Sequence, residues 1–135
     1  MSDTSLAAVD AFELHDVLAK TPDELSSGRR RLVGIARTVA SAPSTVLLDE
    51  PAAGLDSRES RELAVLIRKL ADERGMGVLL VEHDVSLVMS TCDRIVVLDF
   101  GRAIADGPPE VIRTHAAVRT AYLGEDPSAL VVAEN

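Results

Sequence analysis

Aromatic and sulfur side chains are scarce in this chain of 135 residues, which has one cysteine, one tyrosine, two phenylalanines and no tryptophan. A lone Cys92 excludes an internal disulfide and fits a reducing compartment, where it is expected to pack as a small apolar side chain. With so few aromatics, nothing interleaves with Arg29, Arg30, Arg31 and Arg37 to stack bases, so that basic cluster reads as a solvated helix face. Bases are also the minority, 14 against 22 acids, for a net charge of −8. Such a balance lacks the basic face that a general nucleic-acid or anionic-membrane binder needs to displace counterions. Long apolar runs are missing as well: none approaches the about 18 residues that span a bilayer, and "MSDTSLAAVD" has no basic region followed by an apolar one. A soluble chain without nucleic acid among its partners is expected.

What is present suffices for one domain. At 47% hydrophobic residues, a chain of this size buries about two-thirds of the surface its unfolded form exposes. Residues 1–9 are small and polar and read as frayed. "DAFELHDVLAK", residues 10–20, carries Phe12, Leu14, Val17 and Leu18 at loosely helical spacing and reads as a weak helix, and Pro22 and Gly28 then break the pattern. Leu32, Ile35, Ala36, Val39 and Ala40 recur at spacings of three and four, which predicts an amphipathic helix that opens on Ser-Ser-Gly and stops before Pro43.

"TVLLDEP" and "GVLLVEH" are short continuous apolar runs, the pattern of strands covered on both faces in a parallel sheet. The segment between them predicts a helix, with Asp56 and Glu59 as a capping box, Leu63, Leu66, Ile67 and Leu70 as the stripe, and Gly75 as the stop. Together these make one βαβ unit, right-handed by default. "DVSLVMSTC" reads as a short helix capped by Asp84, "RIVVLDFGRAIADG" as two strands joined near Gly101, and "PPEVIRTH" as a helix with proline in its first turn. "AAVRTAYLGE" predicts another short helix, and residues 125–135 a loose tail.

Both apolar strands end in polar chemistry: Asp49 and Glu50 on the first, Glu82 and His83 on the second. Ligands of parallel α/β sheets bind outside the carboxyl ends of the strands, and a βαβ unit sets these two ends side by side. An aspartate there suits a hard cation such as Mg²⁺, and a neighbouring glutamate can polarise an attacking water. A histidine has two nitrogens with which to meet a phosphate oxygen. Taken singly, each has a plainer reading: Asp49 as a cap, Glu50 as a solvated acid before a turn, His83 as a satisfied polar group. The letters Asp99-Phe100-Gly101 match a kinase Mg²⁺ motif, but no catalytic loop or glycine-rich loop precedes them and they fall in an expected hairpin.

The order of the motifs decides between these readings. "LSSGR" opens a helix, "VLLDEP" follows, then "GLD", then "VEHD" one βαβ step later, and in this order the chain resembles the nucleotide-binding subunit of ABC transporters over roughly residues 10–125. The resemblance implies an α/β fold, the C-terminal half of a P-loop NTPase core: a mainly parallel sheet flanked by helices, with a C-terminal β-hairpin and short helices. Residues 10–42 would end the helical subdomain with the signature helix, and residues 43–124 would form the C-terminal part of the ATPase core. Leu25, Ser26, Ser27, Gly28 and Arg29 match the LSGGQ signature, which would bind nucleotide in trans. Val46–Glu50 match Walker B, with Asp49 assisting Mg²⁺ and Glu50 as the catalytic glutamate. Gly54, Leu55 and Asp56 match the D-loop of the dimer seam, and His83 the switch histidine on the γ-phosphate.

"LDEPAAGLD", "VEHDVSLVM", "CDRIVVLDFGRAIADGPPEVIR" and "AYLGE" further resemble the ATP-binding subunit of branched-chain amino acid uptake systems. The implied cofactors are ATP and Mg²⁺. The implied partners are a second ABC ATPase subunit and transmembrane permease subunits, at the cytoplasmic face of the plasma membrane.

Two departures from the family pattern carry consequences. Ser27 stands where the signature has glycine, adding a Cβ where backbone meets phosphate, and Arg29 stands where it has glutamine, adding attraction to a polyphosphate. More importantly, no Gly-x-x-x-x-Gly-Lys-Ser/Thr loop is present to cradle phosphates. Of the two lysines, Lys69 lies mid-helix, and Lys20 has Leu14 and Ala19 where glycines belong. The expectation is therefore a truncated ATPase subunit that is inactive alone. The alternative is a non-catalytic module that dimerises with an intact ATPase and supplies the signature in trans. An ABC ATPase half from DNA repair or translation is a third possibility, disfavoured by the transporter-like "VEHDVSLVM" and "AYLGE".

Overall fold

The computed structural model of the protein describes residues 3–123. The tail expected over 125–135 lies outside the described residues. The chain divides into two compact units, Met1–His83 and Asp84–Asn135, so the segment through the signature helix and the first strand fall together in one unit.

The first unit opens with helix α1 (Asp3–Ala11), where a frayed segment was expected. Its Ala8 and Val9 are buried, and α1 packs against the next helix. Tertiary contact stabilises a stretch whose own apolar pattern is weak. The helix expected over residues 10–20 does not form beyond Ala11: a 3₁₀ turn spans His15–Val17, and Phe12 and Leu14 are buried from irregular backbone and Val17 from that turn. A second 3₁₀ turn, Pro22–Glu24, is closed by a capping box between Thr21 and Glu24.

Helix α2 (Ser27–Val39) buries Ile35, Ala36 and Val39 of the stripe that the spacing predicts, together with Gly28, while Leu32 and Ala40 are half-buried. Strand β1 (Thr45–Asp49) is followed by helix α3 (Ser57–Arg74) and strand β2 (Gly77–Val81). Gly75 ends α3 at φ +61°, a left-handed stop that a side chain would resist. β1 and β2 pair in parallel, with Thr45 opposite Gly77 and Asp49 opposite Val81. α3 contacts β2, and Leu63, Ile67 and Leu70 on it are buried together with Val46 and Leu48 of β1.

Strands covered on both faces were expected, and here the structure differs. Leu47, Leu79 and Val81 are 72%, 59% and 55% exposed, so within the described residues this two-stranded sheet is covered on one face only. The continuous apolar run encodes a second layer that these residues do not supply.

The second unit holds helix α4 (Val85–Thr91), capped by Asp84, and strands β3 (Ile95–Asp99) and β4 (Arg102–Gly107). These strands form an antiparallel hairpin, turned at Phe100 and Gly101, both at positive φ. Helices α5 (Pro109–Thr114) and α6 (Ala116–Val118) follow, the latter running into a π-helical turn over Arg119–Leu123. Ile95, Ala105, Ile112 and Val118 form the core, with Val88, Met89, Val97, Ile104 and Cys92 packed on it. Cys92 thus packs as the small apolar residue it was expected to be.

Candidate functional site

The parallel register fixes which strand ends meet. Asp49 stands opposite Val81, and one residue later the Glu50 N–H donates to the Val81 carbonyl at 2.8 Å. Glu50 then leaves the strand at φ +42°, a left-handed conformation that costs a residue with a Cβ about 1 kcal/mol or more. Arg31 of α2 donates through Nη1 to the Glu50 carbonyl oxygen and so fastens this turn. Two consecutive strand residues would ordinarily face opposite sides, but the turn brings both acids to one mouth. An open depression of about 280 Å³ is lined by Arg31, Asp49, Glu50 and Ala53.

At the neighbouring strand end, the His83 ring is 74% exposed, with Nδ1 3.6 Å from Glu50 Oε1 and 3.9 Å from Glu82 Oε2. Both separations are longer than a hydrogen bond. Sequence reasoning set Glu82 at the strand end without a task. Its side chain is only 1% exposed and accepts hydrogen bonds from the backbone N–H groups of Ala52, at 2.8 Å, and His83, at 3.1 Å. Its sole sequence signal was its place between an apolar strand and His83. Arg31 likewise was read only as part of a solvated basic face.

The residues at the start of α2 have local tasks. Ser26 is the N-cap, its Oγ accepting from the Arg29 N–H at 3.2 Å, while Ser27 begins the helix and is not among the residues with positive φ. The Cβ of Ser27 therefore sits in ordinary helical backbone. Gly28 is tight: a Cβ there would lie 2.6 Å from Glu59 Oε1 and 3.0 Å from Leu55 Cδ2. Its smallness serves the packing of α2 on the segment leading into α3.

Arg29, expected to add attraction to a polyphosphate, has partners within the chain. It donates to both oxygens of Asp16, at 3.2 Å each, and to the Glu13 carbonyl. The pairing spans 13 residues of sequence, and no local pattern announces it.

Past Glu50 the chain turns through Gly54 at φ +77°, and the Leu55 N–H donates to the Ala52 carbonyl. Asp56 caps α3, accepting from the N–H groups of Arg58 and Glu59 at 2.8 Å each, while Glu59 Oε2 accepts from the Asp56 N–H at 3.0 Å. The Glu59 N–H, ahead of the Arg58 N–H, holds the Asp56 carboxyl below the usual carboxylate range. Among the described residues no three His, Cys, Asp or Glu side chains converge to hold a metal ion. Asp49 offers a single carboxylate, which suits an ion held chiefly by phosphate oxygens and water, as Mg²⁺ commonly is.

Comparison with known proteins bears directly on this arrangement. The profile described as ABC transporter matches residues 2–53, and that described as branched-chain amino acid ATP-binding cassette transporter matches residues 104–127. The chain is 44% identical over 117 residues to the high-affinity branched-chain amino acid transport ATP-binding protein BraF of Pseudomonas aeruginosa, covering 87% of this chain and 46% of BraF.

The chain belongs to the ATP-binding domain family of ABC transporters.

Other ABC relatives are similarly near. LivG of Escherichia coli K12, also named for high-affinity branched-chain amino acid transport, is 46% identical over 101 residues, covering 75% of this chain and 40% of LivG. The zinc import ATP-binding protein ZnuC of Alkalilimnicola ehrlichii is 45% identical over 122 residues, covering 88% of this chain and 47% of ZnuC. Among solved ABC structures, the ATP-binding cassette MJ1267 in its ADP conformation aligns with a TM-score of 0.79 at 25% identity, over 90% of this chain and 49% of that one. The chain spans about half the length of the relatives it matches.

Proposed function

We propose that the chain is the Walker-B-bearing half of an ATP-hydrolysing subunit of an ABC importer. The observation that carries this reading is the juxtaposition of Glu50 and His83, 3.6 Å apart, at the carboxyl ends of adjacent parallel strands, with Asp49 beside them. Glu50 is the group that orients and deprotonates the attacking water, and His83 donates to the γ-phosphate. Asp49 would hold Mg²⁺, whose role is to neutralise charge on the transferring phosphoryl group. The start of α2, where Ser26 and Ser27 are exposed and Gly28 is buried behind them, would offer the Ser26 hydroxyl and the N–H groups of this first turn to nucleotide on a second ATPase subunit, aided by the helix dipole. Arg29, tied to Asp16, acts by fixing that helix start. Gly54, Leu55 and Asp56 line the seam between the two subunits.

Branched-chain amino acids are the proposed cargo class. The match at residues 104–127 and the names of BraF and LivG support it, although ZnuC is as similar in identity. Permease subunits at the cytoplasmic face of the plasma membrane complete the proposed assembly. To test the catalytic reading, the chain is fused behind the corresponding N-terminal part of BraF, and ATP turnover and binding are measured for this fusion and its Glu50→Gln variant. Turnover should fall by about 10²–10⁴-fold with ATP binding retained. Unchanged turnover removes Glu50 from the role of base.

A second reading rests on the sequence itself, which holds no Gly-x-x-x-x-Gly-Lys-Ser/Thr loop. On it the chain is a non-catalytic module that pairs with an intact ATPase and supplies the α2 start in trans. Co-purification with an intact homologous subunit supports it, and monomeric behaviour in that subunit's presence counts against it.

A further inference from the structure

Glu82 is a carboxylate removed from solvent that no step of the proposed reaction uses. Carboxylates are seldom buried, because leaving water is costly unless hydrogen bonds replace the hydration. Here two backbone donors do so, and they belong to different segments: Ala52, two residues past Glu50, and His83. Together with the bond from the Glu50 N–H to Val81, the Ala52 bond fastens the turn after β1 to the end of β2, while the His83 bond fixes the peptide that follows Glu82. We propose that Glu82 is a positioning residue, a buried brace whose two oxygens separately hold the turn that carries Glu50 and the peptide that carries His83. Charge-assisted hydrogen bonds of this kind are short and directional, which suits them to setting the 3.6 Å separation of Glu50 Oε1 and His83 Nδ1. An exposed histidine on a strand end would otherwise sample several rotamers.

The functional weight of this brace rests on the proposed roles of Glu50 and His83, but its geometry is testable without turnover. Amide hydrogen exchange and ring NMR signals are recorded on the full chain and on Glu82→Ala and Glu82→Gln, with Leu63 and Ile67 amides as controls for the fold. Glu82→Ala should speed exchange at both Ala52 and His83 by about tenfold. Glu82→Gln keeps one carbonyl oxygen and sets an N–H donor against the other amide, so one of the two amides should lose protection while its fellow and the controls keep theirs. This variant carries the test if the alanine variant does not fold. As a readout of positioning, Glu50→Gln should move the His83 ring signals in the wild-type background and much less in the Glu82→Gln background. Unchanged protection at both amides, equal loss at the controls in Glu82→Gln, or an equal ring shift in both backgrounds would overturn the proposal. A fusion that fails to hydrolyse ATP would count against the catalytic reading and leave these exchange results standing.

Discussion

Gly28→Ala probes the tightest junction in the first unit. The added methyl would lie 2.6 Å from Glu59 Oε1, 3.0 Å from Glu59 Cδ and 3.0 Å from Leu55 Cδ2. Glu59 has little room to yield, because its other oxygen accepts the Asp56 N–H at 3.0 Å in the capping box of α3. Displacing Glu59 forfeits that hydrogen bond, about 1 kcal/mol. Pushing aside Leu55 adds about 1 kcal/mol of overpacking, and the better helix propensity of alanine offsets about 0.5 kcal/mol. The expected net loss is about 1.5 kcal/mol, a drop of about 0.5–1 M in the urea midpoint followed by circular dichroism. A double-mutant cycle identifies the cause: in the Glu59→Ala background the same substitution should cost less, since only the Leu55 contact remains. A Gly28→Ala chain as stable as wild type, or costs that add without coupling, would refute the packing argument and return the glycine to a purely ligand-facing role.

Glu50→Gly should raise the urea midpoint, by about 1 kcal/mol in stability, because glycine accepts the left-handed backbone that Glu50 adopts under strain; a lower midpoint would mean the turn is unstrained. Acid should loosen the start of α3. With the Asp56 carboxyl below its ordinary value, its contribution is complete above the unfolded value of about 3.9 and is lost as pH falls through the lower folded value. The Arg94 guanidinium lowers Asp106 in the hairpin, so the sign there is the same. Carboxyl carbon NMR titrations should give both aspartates midpoints below about 3.9, and a midpoint at or above it contradicts the pairing.

Much of the first unit was legible because its signals are local. The runs at 45–49 and 77–81, the Asp56–Glu59 capping box and the stop at Gly75 each act within a few residues, and β1, α3 and β2 follow them. The convergence of Asp49, Glu50 and His83 was also readable, since a parallel βαβ unit leaves adjacent strand ends little choice. What escaped was non-local or ran against residue type. α1 is held by packing on α2 rather than by its own periodicity, and Arg29 finds Asp16 across an intervening turn. Glu82 is buried where a glutamate is by default solvated, and nothing in "VEHD" tells which of its acids turns inward. The apolar runs promised a sheet covered on both faces, yet Leu47, Leu79 and Val81 stay exposed among the described residues.

That asymmetry bears on the central claim, that this chain holds the water-activating half of a nucleotide site and not the phosphate-cradling half. Calorimetric titration of ATP with Mg²⁺ tests it most directly, first into the chain alone and then into the chain joined to the N-terminal part of BraF. The expected result is no specific binding alone and micromolar binding in the fusion. Micromolar binding by the chain alone would contradict the claim.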